Sequence, residues 1–284
     1  MRLNHNMNSL GIYNTYKKNL IQNSTSIDRI SSGTKINSAK DNPSKIGQSE
    51  NMRIQLKSLQ AAQRNLQDGA SMVQATDSAL QEANNILARM KELAVSAADG
   101  TKSDADKLTI QNEIDQMKRG IDDLANNTEF NGVKLIGDEK VFNNDYPSYK
   151  ETVIGAMVGE QMRIPTYNIS SQVLKDDKGN RLTDVDVVNK AADAIYTIDK
   201  SITEVSNIRG RYGAIQSRFE TSSNNLEQNT MVVEKAESSL RDTDIAIEMA
   251  ELARTQILND TSLALIAQSN QIPQEALRVL ERVK

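Results

Sequence analysis

Residues 52–97 read MRIQLKSLQAAQRNLQDGASMVQATDSALQEANNILARMKELAVSA, and the order of large, small and polar side chains in this stretch decides the fold. Stepping by seven from Met52 gives Leu59, Leu66, Val73, Leu80, Leu87 and Ala94, an unbroken apolar row. Positions three further on include Ala62, Gly69, Ala83, Met90 and Ala97, so large residues on one row face mostly small ones on the next. A heptad row of this kind predicts a long helix with a seam that lets other helices approach closely. At 1.5 Å per residue it makes a rod of roughly 63 Å.

A second row, Ala191, Ile198, Val205, Tyr212, Phe219, Leu226, Val233, Leu240 and Ile247, steps by seven with no proline or charge on it. It predicts a longer continuous rod, roughly 84 Å at helical rise. Between the two, Ile110, Ile114, Met117, Ile121 and Leu124 alternate spacings of four and three, the stripe of a shorter amphipathic helix, with the turn at Asp99-Gly100. The fold class is therefore mainly α: long rods in a coiled-coil-like bundle. Residues 126–182 differ. They hold two of the four prolines, the turn pairs Asn131-Gly132 and Lys178-Gly179-Asn180, and β-prone runs such as Thr152-Val153-Ile154, and they predict a small region of hairpins and loops.

The termini form a third pattern. Leu3, Met7 and Leu10 lead into a stripe of Tyr13, Tyr16, Leu20, Ile27 and Ile30, with Asn23 as its polar member. Near the other end, Ile257, Leu258, Leu263, Ala264, Leu265, Ile266 and Ala267 make a helix apolar around much of its circumference. So wide an apolar surface needs more than one partner, and the ends are expected to order when other copies surround them.

Composition excludes other classes. A charge of −4 with 25% charged residues favours neither a polyanion nor an anionic membrane, so no nucleic-acid or membrane partner is expected. There is no cysteine, and hence no disulfide, thiolate nucleophile or Cys-ligated metal. The opening MRLNHNMNSL is polar, without the apolar core of a conventional signal peptide, and no run of 18 apolar residues predicts a membrane span. His5, the one histidine, cannot make the two-histidine zinc motif, and the acidic pairs Asp122-Asp123 and Asp176-Asp177 read as solvated faces. Gly210 and Gly213 fall within the second heptad row, where they allow close packing or bending rather than phosphate binding. No catalytic, cofactor or metal residue is assigned.

Five segments, in order, resemble the bacterial flagellins: ISSGTKINSAKDNPSKIGQSENMR (30–53), LARMKELAVSAADG (87–100), FNGVKLI (130–136), IRGRYGAIQSRFE (208–220) and LARTQILNDTSLALIAQSNQIPQEAL (252–277). The resemblance implies a structural subunit of the extracellular flagellar filament, not an enzyme. The resemblance further implies export of the unfolded chain through the flagellar type III apparatus and polymerisation at the distal tip. It also implies an inner-core helix and the start of a spoke in 1–40, outer-core helices in 41–125, and a short β-rich region in 126–182 in place of variable surface domains. A long outer-core helix follows in 183–239, with a C-terminal inner-core helix in 240–284. The residues expected to drive polymerisation are Leu3, Met7, Leu10, Tyr13, Tyr16, Leu20, Ile27, Ile257, Leu258, Leu263 and Ile266. The implied partners are other copies of the chain, an export chaperone on the C-terminal helix, and the filament cap and hook-filament junction proteins. A host flagellin-sensing Toll-like receptor is implied at the motif Arg89, Leu93 and Glu113, where Lys91 stands in place of a common arginine. The ending departs from the family's leucine-dense one, with Ala276 and Val279 at apolar positions and charge beyond Leu280. The alternative with similar termini is a hook-filament junction protein.

Overall fold

A computed structural model describes residues 6–138, 140–157 and 159–282, without side chains at 276, 277 and 279–282. The elements are helices α1 (Met7–Ser32), α2 (Pro43–Ala97) and α3 (Asp104–Asn127), then strands β1 (Glu129–Phe130), β2 (Val133–Lys134), β3 (Ser148–Val153) and β4 (Gln161–Thr166). A 3-10 turn at Leu182–Asp184 precedes helices α4 (Ala191–Arg241) and α5 (Ile245–Arg282). The chain forms two compact units, one from Met1–Leu56 with Met231–Lys284 and one from Lys57–Thr230.

Local chemistry sets the helix ends. Asn42 caps α2, its Oδ1 accepting from the Lys45 amide at 3.1 Å, while Pro43 takes the first helical position, where a missing N–H costs nothing. Ser103 and Asp106 form a reciprocal capping box at the start of α3. Gly33 ends α1 in the left-handed region at φ 69°. The second heptad row does not continue to Ile247 in one rod. Helix α4 ends at Arg241, and Asp244 restarts the chain as α5 by accepting from the Ala246 amide at 2.9 Å. Three polar residues, Asp242, Thr243 and Asp244, lie between heptad positions and favour side-chain-to-backbone bonds over helix continuation. The two breaks meet: the Lys35 amide donates to the Arg241 carbonyl at 2.6 Å and the Thr243 amide to the Gly33 carbonyl at 3.1 Å.

In the Lys57–Thr230 unit both rows are core. Leu59, Leu66, Val73, Leu80, Leu87 and Ala94 are buried, as are Ile198, Val205, Tyr212, Phe219 and Leu226. Ile114 and Ile121 of α3 are fully enclosed. Two antiparallel hairpins cover part of this unit. Asn131 (φ 51°) and Gly132 (φ 75°) make the two-residue β1–β2 turn, and β3 pairs with β4 from Ser148↔Thr166 to Val153↔Gln161. Tyr212 ties α4 to β4 by donating its hydroxyl to the Pro165 carbonyl at 2.6 Å. Buried Lys118 of α3 donates to the Thr183 and Val185 carbonyls, holding the returning loop. Asp176 closes the 176–180 turn by accepting from the Lys178 and Asn180 amides.

Gly69 shows why the row opposite the large residues is small. A Cβ there would lie 2.7 and 2.8 Å from the Phe219 ring. Gly69→Ala is expected to lower the unit's stability by about 1–3 kcal/mol through overpacking. Gly120→Ala, with no neighbour within 4 Å, is expected to raise it by about 0.5–1 kcal/mol. Denaturant unfolding of both variants separates the two outcomes.

Candidate functional site: the terminal helix pair

Helices α1 and α5 pack antiparallel, with Asn6 beside Ser269, Asn23 beside Thr255 and Arg29 beside Glu248. The inward positions follow a three-four spacing on both helices. On α1 they are Ser9, Ile12, Tyr16, Asn19, Asn23, Ser26 and Ile30; on α5 they are Glu248, Leu252, Thr255, Asn259, Ser262, Ile266, Ser269 and Pro273. The most deeply buried of these are polar: Ser26, Thr255, Ser262, Ser269 and Glu248. Asn23 Nδ2 donates to Thr255 Oγ1 at 3.2 Å, and Arg29 pairs with Glu248 at 3.1 Å.

The large apolar side chains point the other way. Met7, Leu10, Tyr13, Leu20 and Ile27 of α1 and Ile257, Leu258 and Leu263 of α5 are exposed, from 37% for Leu258 to 67% for Met7. Tyr16 and Ile266 alone of the described residues in the expected polymerisation set sit half-buried in the seam; Leu3 lies outside the described residues. The N-terminal stripe is thus divided, Tyr16 and Ile30 facing α5 while Tyr13, Leu20 and Ile27 flank the seam. Sequence reasoning missed the seam itself. Its signal is the spacing of small hydroxyl residues at steps of seven, Thr255, Ser262 and Ser269, which apolar periodicity does not register.

Asn6 closes the open end of this pair. Its Oδ1 caps α1 by accepting from the Ser9 amide at 3.2 Å, while its Nδ2 donates to the Ser269 carbonyl at 2.8 Å. Pro273 lies inside α5 and lacks the N–H that would bond the carbonyl four residues back, which is Ser269. One side chain therefore satisfies the end of one helix and the gap in the other. Asn6→Ala is expected to cost about 1–2 kcal/mol, and appreciably less when combined with Pro273→Ala, which restores a partner to the Ser269 carbonyl. A double-mutant cycle of thermal melting measures the coupling.

In the other unit, Arg89 pairs with Glu92 at 2.8 Å and with Glu113 at 3.8 Å, and its pKa is raised chiefly by the hydrogen bond to Glu92. Arg89 and Glu113 are exposed, whereas Leu93 is only 8% exposed. Lys91 pairs with Asp199 at 2.6 Å. A polar cleft of about 540 Å³ lies among Asn144, Lys175, Asp176, Lys200, Glu204 and Arg211. Burial pushes Glu204 above the usual carboxylate range, against the Asn144 hydrogen bond at 2.7 Å. A raised folded-state value means that ionisation of Glu204 weakens the fold as pH rises above about 4.3, the ordinary value. Glu204→Gln is expected to be more stable than wild type at pH 7, with the difference shrinking toward pH 4, as thermal melts across that range would record. Among the described residues no group of three or more His, Cys, Asp or Glu side chains is placed to hold a metal, and no helix is long and apolar enough to cross a membrane.

An α-helical chain whose terminal pair buries serine and threonine most deeply and leaves many large apolar side chains exposed presents a surface that other chains can cover. Residues 3–140 match the model of the bacterial flagellin N-terminal helical region, and residues 195–280 that of the bacterial flagellin C-terminal helical region. The chain belongs to the bacterial flagellin family. It is 35% identical over 284 residues to the flagellar filament 30.7 kDa core protein of Treponema maltophilum, covering 99% of this chain and 100% of that protein. It is 36% identical over 303 residues to the flagellin of Bacillus subtilis, with the same coverage. The fold is shared with the structure of a putative flagellar hook-associated protein from Vibrio parahaemolyticus, at a TM-score of 0.61 and 14% identity over 71% of this chain and 100% of that one.

Proposed function

We propose that the chain is the structural subunit of an extracellular bacterial flagellar filament, self-assembling into a helical homopolymer and catalysing nothing. The observation that carries this reading is the outward apolar surface of the α1–α5 pair, which water disfavours and which other copies would bury. Each fully buried Leu or Ile contributes roughly 1.5–3 kcal/mol, so a few such side chains per subunit suffice to hold a polymer. Whole-length similarity to filament core proteins favours the filament over a hook-filament junction ring.

On this reading 1–40 and 240–284 form the inner core, and 41–125 with 183–239 the outer core. The region 126–182 is its β-rich edge. The polymerising side chains are Leu3, Met7, Leu10, Tyr13, Leu20, Ile27, Ile257, Leu258 and Leu263, with Tyr16 and Ile266 setting the pair they project from. The chain leaves the cell unfolded, an export chaperone covers the apolar surface of α5 beforehand, and the cap and junction proteins meet it in the assembled flagellum. A host Toll-like receptor reads the surface at Arg89 and Glu113, with Leu93 supporting it from beneath.

Leu20→Glu and Leu263→Glu are expected to abolish filament growth on seeds under negative-stain electron microscopy while far-ultraviolet circular dichroism keeps its helical signal. Loss of helicity together with assembly would count against the reading. Arg89→Ala is expected to leave filaments intact and to reduce receptor activation by the monomer in a reporter assay.

A further inference from the structure

The two flanks of the terminal pair differ in a way that assigns a direction to self-association. Tyr13, Leu20 and Ile27 each follow a seam residue, whereas Asn8, Gly11 and Thr15 each precede one. With about 100° between successive residues, the two sets lie on opposite sides of the α1 seam. On the first flank the α1 row is large and apolar. On the second, α1 presents Asn8, Gly11 and Thr15 with Met7 at one end, and outside its own helix no atom lies within 4 Å of a Cβ built on Gly11. There Asn8, Gly11 and Thr15 with Leu258, Leu265 and Ile272 of α5 line a groove of about 850 Å³.

We infer that the Tyr13–Leu20–Ile27 ridge of one copy seats in the Gly11–Leu265 groove of the next, resting on the filament reading for its occupant. The row of the ridge and the row Leu258–Leu265–Ile272 in the groove wall both repeat every seven residues, roughly 10.5 Å along a helix, so side chains of one can interleave with those of the other over several turns. A surface that pairs with a copy of itself closes a dimer, whereas a filament requires two different surfaces that pair head to tail. The terminal pair carries one of each, a projection on one flank and a depression on the other. Gly11 lines the depression without a side chain, in a helix where alanine would be favoured by about 1 kcal/mol.

The chain has no cysteine, so introduced thiols report on single positions. Leu20→Cys is co-polymerised on filament seeds with wild-type chain and, in separate samples, with Leu258→Cys, Leu265→Cys or Ile272→Cys, then treated with a short bifunctional maleimide. Cross-linked dimers are expected from at least one of these mixtures, and none from any single variant or from Leu20→Cys with Leu263→Cys, which shares the ridge flank. Homodimers of Leu20→Cys would overturn the pairing in favour of a self-paired contact. Filaments that form without ridge-to-groove cross-links would overturn it as well, leaving the filament reading intact. Failure of the wild-type chain to grow on seeds would instead overturn that reading itself.

Discussion

The most deeply buried side chains between α1 and α5 are polar, and most of what is distinctive in the molecule depends on that choice. An apolar seam would have satisfied the terminal helices as a closed pair and left a polar exterior. With Ser26, Thr255, Ser262 and Ser269 inside instead, the helices approach closely and hold register through Asn23–Thr255, Arg29–Glu248 and the Asn6 bridge. Their apolar residues are left for contacts elsewhere. Neutral hydrogen bonds of this kind contribute about 1 kcal/mol each, less than burial of the exposed leucines and isoleucines would add.

The Lys57–Thr230 unit follows the opposite rule. Its heptad rows face inward, its largest fully buried side chains include Tyr167, Tyr212 and Phe219, and its loops are held by Lys118 and Asp176. Stability in this unit is internal. The chain thus divides its labour, one unit with its heptad rows enclosed and the other with many of its large apolar side chains exposed.

The long helices and the hairpin region were legible in the sequence because apolar periodicity and Asn-Gly turn chemistry act locally. The break at Asp242–Asp244 is not legible in periodicity, since the heptad row passes across it without a proline and the cue is a capping aspartate that competes with the helix only weakly; only the family resemblance implies a boundary nearby, at 239/240. The terminal helices were recognised as apolar, but which residues faced inward was not, because in a pair that reverses the usual arrangement hydrophobicity points to the outside. Asn6 was invisible for another reason. Its role depends on a carbonyl exposed by Pro273, at the far end of the chain.

That last contact joins residues 263 positions apart, and such a separation has a bearing on the order of folding. Closing a loop of this size costs entropy that no local contact repays in advance, so the terminal pair forms late, after the helices and hairpins between have shortened the effective chain. A chain still emerging from a ribosome or a narrow conduit cannot make it, because one partner has yet to arrive. Synthesis as far as Ser269 thereby becomes a physical precondition for closing the α1–α5 pair at this end.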